Sequence, residues 1–372
     1  MTFSFQQFSD LKEAVSTVTR DEFLDAMKSV YDSGDERLVR RITELGADIQ
    51  IDEVIARVFK NKAPKADPGS DATLANKIKA LGITPSEKVE LAYAIEDGSA
   101  YDMFKMMNGS VGASKPISSC LTGVKGADDL LEWYVAWRAK TDSSALAAGA
   151  SEVWIITAGK GGTTPAKGDA QLGNIKVEVK SDKGKGFSGE FSVQGKQNTF
   201  EIPVGLFRSE LAKLFAKKKI TVKDDGEYGL GSRKGKGKIS GAVGKSVEAA
   251  LNKTIDILMK EGKMKATAID AEFQKMIKAS FPVAKNKTIS VMDKDRINVK
   301  KFFHLWTACA FEEYADREEF EYCVMFDRSS KLVRTFKSGN DILALGDNFN
   351  CSALTYSSGA GQNSSLAQFS FK

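Results

Sequence analysis

The chain has 372 residues, 42% apolar and 28% charged, with a formal net charge of +5. That composition is ordinary for a globular protein and excludes wholesale disorder, a collagen-like chain and a coiled-coil rod. No apolar run approaches the roughly 20 residues needed to span a bilayer, and the single histidine, His304, excludes chemistry that needs two.

Residues 1–10 carry no basic stretch followed by an apolar one, so no secretory signal is expected. The first sixty residues predict helices. Phe23, Leu24, Met27, Val30 and Tyr31 recur at helical spacing across residues 21–31, and further helices are expected over 36–45 and 52–59. Residues 61–70 contain two prolines and a glycine and read as a linker. Helix resumes at Ala72. Thr84-Pro85-Ser86-Glu87 is an N-terminal signal, with Thr84 as cap, Pro85 in the first turn and Glu87 closing a capping box. Met103, Met106 and Met107 are expected in the core. Residues 128–140 predict another helix, bearing Leu130, Leu131, Trp133, Tyr134 and Trp137.

The character changes near Ser143, where the chain becomes rich in Gly, Ser, Thr and Lys up to Pro203. Residues 175–181 alternate as a strand. Helices are expected at 209–218, 246–260, 268–280 and 298–314. Strands are expected at 322–327, 332–336, 352–356 and 368–371. His304, between Phe302, Phe303, Leu305 and Trp306, reads as a packed or surface helical residue. Cys120, Cys309, Cys323 and Cys351 are scattered with no C-x-x-C pair, which predicts reduced, mostly buried thiols. Neither Gly235-Lys236 nor the segment 159–164 has the frame of a phosphate-binding P-loop.

The most informative segment runs from Gly168 to Lys180. Gly173-Asn174 suits a two-residue hairpin turn. That turn pairs Leu172 with Ile175, Gln171 with Lys176, Ala170 with Val177 and Asp169 with Glu178. Cross-strand partners share a face, so two carboxylates lie opposite each other, which is unfavourable unless something sits between them. A divalent cation is the natural candidate, and carboxylate oxygens with retained waters suit Mg²⁺. Lys180 shares the face of Glu178, while Val177 and Val179 point to a core. Glu152, near the start of an apolar segment, supplies a further acid.

The order Glu152, Asp169, Glu178-Val179-Lys180 resembles the PD-(D/E)xK, or restriction-endonuclease-like, superfamily: an acid on a helix, an Asp on a strand, and (D/E)-x-K on the paired strand. Gly168-Asp169, the turn, and Val177 to Ser181 look like such proteins encoded by tailed bacteriophages. The region from Phe326-Asp327 to Phe371, with its Ser358–Ser365 segment, has the same flavour. Position 168 is Gly where the family's name has Pro. The resemblance covers at most residues 145–372. It implies an α+β fold, with an N-terminal α-helical region followed by a PD-(D/E)xK-like mixed β-sheet domain flanked by helices. The domains are then 1–140, with a linker at 61–71, and 141–372, with a helical insertion at about 246–315. It also implies Mg²⁺ on Asp169 and Glu178, a catalytic set of Glu152, Asp169, Glu178 and Lys180, and hydrolysis of DNA phosphodiesters. The alternative it allows is a virion structural or assembly component of head, neck or tail that keeps the fold without catalysis. Location is then the virion or the host cytoplasm, with DNA or other virion proteins as partners, no membrane, and possible oligomers.

Charge supports a DNA partner. Residues 176–238 hold fifteen Lys or Arg against eight Asp or Glu, a local +7. Lys183, Lys185, Lys217, Lys218, Lys219, Arg233, Lys234, Lys236 and Lys238 are the residues expected to track a phosphate backbone.

Overall fold

The structure is a computed structural model that describes residues 25, 28–30, 32–66, 68–136, 150–166, 168–181, 187–195, 203–222, 228, 230, 243–327, 329–359 and 362–371. In chain order its elements begin with helices α1 (Glu36–Lys62), α2 (Ser70–Lys79), α3 (Pro85–Asp97) and α4 (Met103–Gly109). The short strand β1 (Lys115–Pro116) and helices α5 (Ala127–Ala136) and α6 (Ala150–Ala158) follow. Next come strands β2 (Gly162–Thr163), β3 (Ala170–Leu172), β4 (Ile175–Ser181) and β5 (Phe187–Gly195). Helices α7 (Pro203–Lys217), α8 (Val243–Lys260) and α9 (Ala266–Ala279) lead to the β6 (Met292–Asp293) and β7 (Arg296–Ile297) ribbon. The chain ends with α10 (Val299–Glu318), β8 (Tyr322–Asp327), β9 (Leu332–Phe336), α11 (Gly339–Leu343), β10 (Asn350–Gly359) and β11 (Gln362–Phe371).

The fold is mixed α/β. A six-stranded sheet has the order β1-β9-β8-β4-β3-β2. Only β4 and β8 pair in parallel; the other neighbours are antiparallel. The parallel pair requires a crossover, and the connection from β4 to β8 contains β5, helices α7 to α10 and the small ribbon. A second sheet, β10-β11-β5, is antiparallel throughout.

The six-stranded sheet separates two apolar cores, and strand alternation assigns each residue to one of them. Ala170, Leu172, Val177, Val179, Tyr322, Val324, Phe326 and Val333 join helices α1 to α6 on one face. Cys323, Met325 and Phe336 join α7 to α10 and the three-stranded sheet on the other. Helix α10 is buried without interruption from Phe302 to Phe311, as expected for a helix enclosed on all sides. His304 is packed in it, its Nε2 2.7 Å from the Ile342 carbonyl and its ring stacked on Phe349. Burial lowers its pKa below the usual value.

Several local signals act as expected. Thr84 and Glu87 form the capping box of α3, Met103, Met106 and Met107 are buried, and no described helix is long and apolar enough to cross a membrane. Cys120, Cys309 and Cys323 are buried free thiols. The two helices expected over 36–45 and 52–59 are instead a single 27-residue helix, α1. Gly46 does not break it, because Ala47, Ile51, Val54, Ile55 and Val58 keep one buried stripe. The final strands are longer than expected, because β10 and β11 pair through the Ser- and Gly-rich segment as a hairpin from Asn350↔Ser370 to Gly359↔Gln362. Most of the expected helix at 21–31, and Trp137, lie outside the described residues.

Lys62 fixes α1 against the helix that carries Glu152. Its ammonium donates to the carbonyls of Ile95 at 3.0 Å and Thr157 at 3.1 Å, satisfying chain groups left open at helix ends. Burial pushes its pKa down to about 8.

Two glycines in this region make a test. A Cβ on Gly162 would lie 1.9 Å from the Ile156 carbonyl oxygen, whereas one on Gly173 would meet nothing within 4 Å. Gly173 takes φ +60°, so its substitution is strained only locally. We expect Gly162→Ala to cost about 3 kcal/mol or more through overpacking and Gly173→Ala about 1 kcal/mol, measured by urea unfolding. Equal effects would contradict the close approach of α6 to β2.

Candidate functional site

The site is assembled by α6, the β3–β4 hairpin and the carboxy-terminal half of α10. The hairpin register is Ala170↔Val177, Gln171↔Lys176 and Leu172↔Ile175, as the turn predicts. Gly173, with its positive φ, stands at the first central position of the turn, where a II′ hairpin requires it.

Pairing stops at Ala170, and Asp169 occupies a bend before β3. The Val179 amide therefore has no carbonyl partner on β3, and Asp169 supplies one: Val179 N–H donates to Asp169 Oδ2 at 2.8 Å. Glu178, the next residue toward the turn, is 2% exposed. Its Oε1 accepts from Lys180 Nζ at 2.5 Å and from the Tyr314 hydroxyl at 2.5 Å. Lys180 Nζ also lies 3.4 Å from the Tyr314 oxygen. Tyr314 is the residue that sequence reasoning missed. It sits near the end of α10, where an aromatic at helical spacing reads as core, and nothing in the sequence links it to a strand 136 positions away.

The electrostatics follow from burial and crowding of charge. Burial, then Glu178, then Glu152 push the Asp169 carboxyl up to about 7. Glu152 stands in the first turn of α6. Burial alone would lower the pKa of Lys180, but Glu178 and Tyr314 outweigh it and keep the ammonium charged well above its usual range. Burial and then Glu178 raise Tyr314, so its proton stays on the phenol and is donated to Glu178. Cys323, the register partner of Glu178 on β8, has its thiol pushed far up by burial, which argues against a thiolate nucleophile here.

The three predicted acids and the lysine thus feel one another's charge: Glu152, Glu178 and Lys180 all act on Asp169. Among the described residues no group of three or more His, Cys, Asp or Glu is arranged to hold a metal. Mg²⁺ needs less, taking one or two carboxylates with waters and substrate phosphate oxygens. Asp169 Oδ2 accepts from Val179 and Glu178 Oε1 from Lys180 and Tyr314, so Asp169 Oδ1 and Glu178 Oε2 are the hard oxygen donors these residues would offer to such an ion.

The predicted basic track is divided. Lys217, Lys218 and Lys219 close α7, with Lys217 and Lys219 exposed. Lys219 takes φ 59°, and the amide of Ile220 donates to the Phe215 carbonyl, a helix-ending turn. Basic side chains are favoured there by the helix dipole. No contact among the described residues joins these lysines to Asp169 or Glu178. Lys183, Lys185, Arg233, Lys234, Lys236 and Lys238 lie outside the described residues, as does Gly235.

The chain matches no protein-family model, no curated protein and no solved structure.

The raised Asp169 pKa makes stability depend on pH. Its ordinary value is 3.8 and its folded value about 7. Between these the folded protein holds a proton that the unfolded chain releases, so this carboxyl's contribution to stability is fully present below about pH 4 and is lost as pH rises through about 7. Asn at 169 keeps an oxygen for the Val179 amide and has no charge to bury. Asp169→Asn is expected to melt roughly 2–4 °C or more above wild type at pH 8, with the difference vanishing toward pH 4. Mg²⁺ at pH 8 is expected to raise the wild-type melting temperature and leave the variant unmoved. A difference independent of pH would refute the buried, crowded carboxylate.

Proposed function

We propose that the chain is a phage-encoded, Mg²⁺-dependent nuclease-like protein of the PD-(D/E)xK type, hydrolysing DNA phosphodiesters in DNA processing or head completion. The observation that carries this reading is the hydrogen-bonded set Lys180–Glu178–Tyr314 on one sheet face, with Asp169 and Glu152 coupled to it. Glu152 in the first turn of α6 and Glu178-Val179-Lys180 on β4 support the resemblance, whereas Asp169 stands in the bend just before β3 and not on the strand. A helix, three antiparallel strands, a later helix and a strand parallel to β4 form the frame around them.

The chemistry divides among the side chains. Asp169 and Glu178 would hold Mg²⁺, which when bound supplies charge stabilisation at the phosphate oxygens. Lys180, kept as an ammonium by Glu178, orients the attacking water or neutralises charge that develops on the phosphate. Tyr314 holds Glu178 and fixes the lysine beside it. Glu152 adds negative charge next to Asp169. The water oxygen bonds to phosphorus as the phosphodiester P–O bond breaks, and the leaving oxygen takes a proton.

A second reading has its own support. Glu178 already has two donors, and Asp169 already completes the β4 ladder. A polar set so closed among its own members also suits a virion structural or assembly component that keeps the nuclease-like arrangement without catalysis.

Plasmid cleavage decides between the two. Wild type with Mg²⁺ is expected to nick or linearise plasmid, with activity lost in EDTA and reduced at least about 100-fold in Asp169→Ala and Lys180→Ala. Tyr314→Phe is expected to retain part of the activity. An uncut plasmid, together with recovery of the protein from purified particles, would favour the structural reading.

A further inference from the structure

Strand β9 places an arginine where a charge is hard to accommodate. Arg334 is 6% exposed, and its Nε is buried without a hydrogen-bond partner. Among the described residues it has no carboxylate contact and no hydrogen bond. Its neighbour Asp341 is engaged by the amides of Lys337 and Ser338 and by the Ser338 hydroxyl. The guanidinium packs over the Phe336 ring, its centre 5.7 Å from the centroid, which offsets only part of the cost of leaving water. Burial lowers its pKa below the ordinary value.

A guanidinium carries five donors and no acceptor, and a buried charge is normally paired. Here the missing partner is an acceptor with negative charge. The sheet register says where that partner would lie. Lys180 pairs with Met325, and Met325 pairs with Arg334. The three residues form one row across β4, β8 and β9 and share one face, the face of Glu178 and Tyr314. Two strand spacings separate Lys180 from Arg334, about 10 Å between backbones. Both cations thus stand in line on the face where the proposed reaction takes place.

We propose that Arg334 is an anion-binding residue that takes a phosphate group of a ligand lying along the Lys180–Met325–Arg334 row. A planar fork meets two phosphate oxygens at once, which a single ammonium cannot do. The assignment of that phosphate to a nucleic-acid strand rests on the nuclease reading above; the phosphate site itself stands on Arg334.

The test uses the full-length protein and three variants. Arg334→Met keeps length and packing but removes every donor. Without ligand it is expected to melt no lower than wild type, because an unpaired buried charge has been removed. Inorganic phosphate is expected to raise the melting temperature of wild type and not that of Arg334→Met. Affinity for a short fluorescein-labelled DNA duplex, measured in EDTA, is expected to fall about tenfold, with the salt dependence shallower by about one unit. Lys180→Met is expected to keep the phosphate response. If Arg334→Met fails to fold, Arg334→Lys is expected to fold and to show a weakened phosphate response, since the charge remains and the fork is lost. Phosphate protection lost in Arg334→Met while wild type binds no duplex would support the phosphate site and sink the nucleic-acid reading. A full phosphate response in Arg334→Met, or an Arg334→Lys protein indistinguishable from wild type, would overturn the proposal.

Discussion

Glu178 is a carboxylate buried in a sheet that has an apolar core on each side. Such a charge is tenable only when strong donors meet it. Here two do, the Lys180 ammonium from its own strand and the Tyr314 phenol from α10. The pairing with Lys180 is nearly free of conformational choice, since residues two apart on a strand share a face. The pairing with Tyr314 demands that the end of α10 be held against β4. The local arrangement therefore depends on the placing of α10, which is buried continuously from Phe302 to Phe311 just before Tyr314.

The same constraint organises Asp169. Once β3 stops at Ala170, a strand amide needs an acceptor, and the aspartate that supplies it is drawn into the field of Glu178. Burial and like charge then act together on its proton. A carboxyl poised near neutrality is unusual for a merely structural cap and useful in a site where protons or cations are exchanged. Sheet geometry and charge chemistry are thus one arrangement: the hydrogen bond that completes the ladder also sets the electrostatics.

Much of this was legible in the sequence because its period is two. Gly173-Asn174 and the alternation of residues 175–181 place Val177 and Val179 on one face and Glu178 and Lys180 on the other, and the register follows from the turn alone. The opposition of Asp169 and Glu178 was visible in outline, but not the early end of β3, because a ladder's last bond is decided by where the chain arrives from. Tyr314 was invisible, since contacts between distant segments leave no local pattern. Arg334 was hidden for the same reason. On β9 it alternates like any strand residue, and its burial arises from elements packed around it. The gap expected between residues 45 and 52 erred in the opposite direction: the buried stripe of α1 runs straight through it.

The polar residues of the enclosed sheet face differ in how far they are satisfied. Glu178 has two donors and Asp169 has the Val179 amide, whereas Arg334 keeps an unpartnered nitrogen in the same row as Lys180. Burying polar groups costs stability unless partners are present, and the proposed phosphate ligand would supply the one that Arg334 Nε lacks. Its negative and positive members are also spatially ordered. Acids lie on β4 and in the bend before β3, and Arg334 lies two strands from β4 on β9. A ligand with phosphate groups along its length, bridged to the acids by a divalent cation, would complement both ends at once. A neutral ligand would leave the arginine as costly as it is in the free protein.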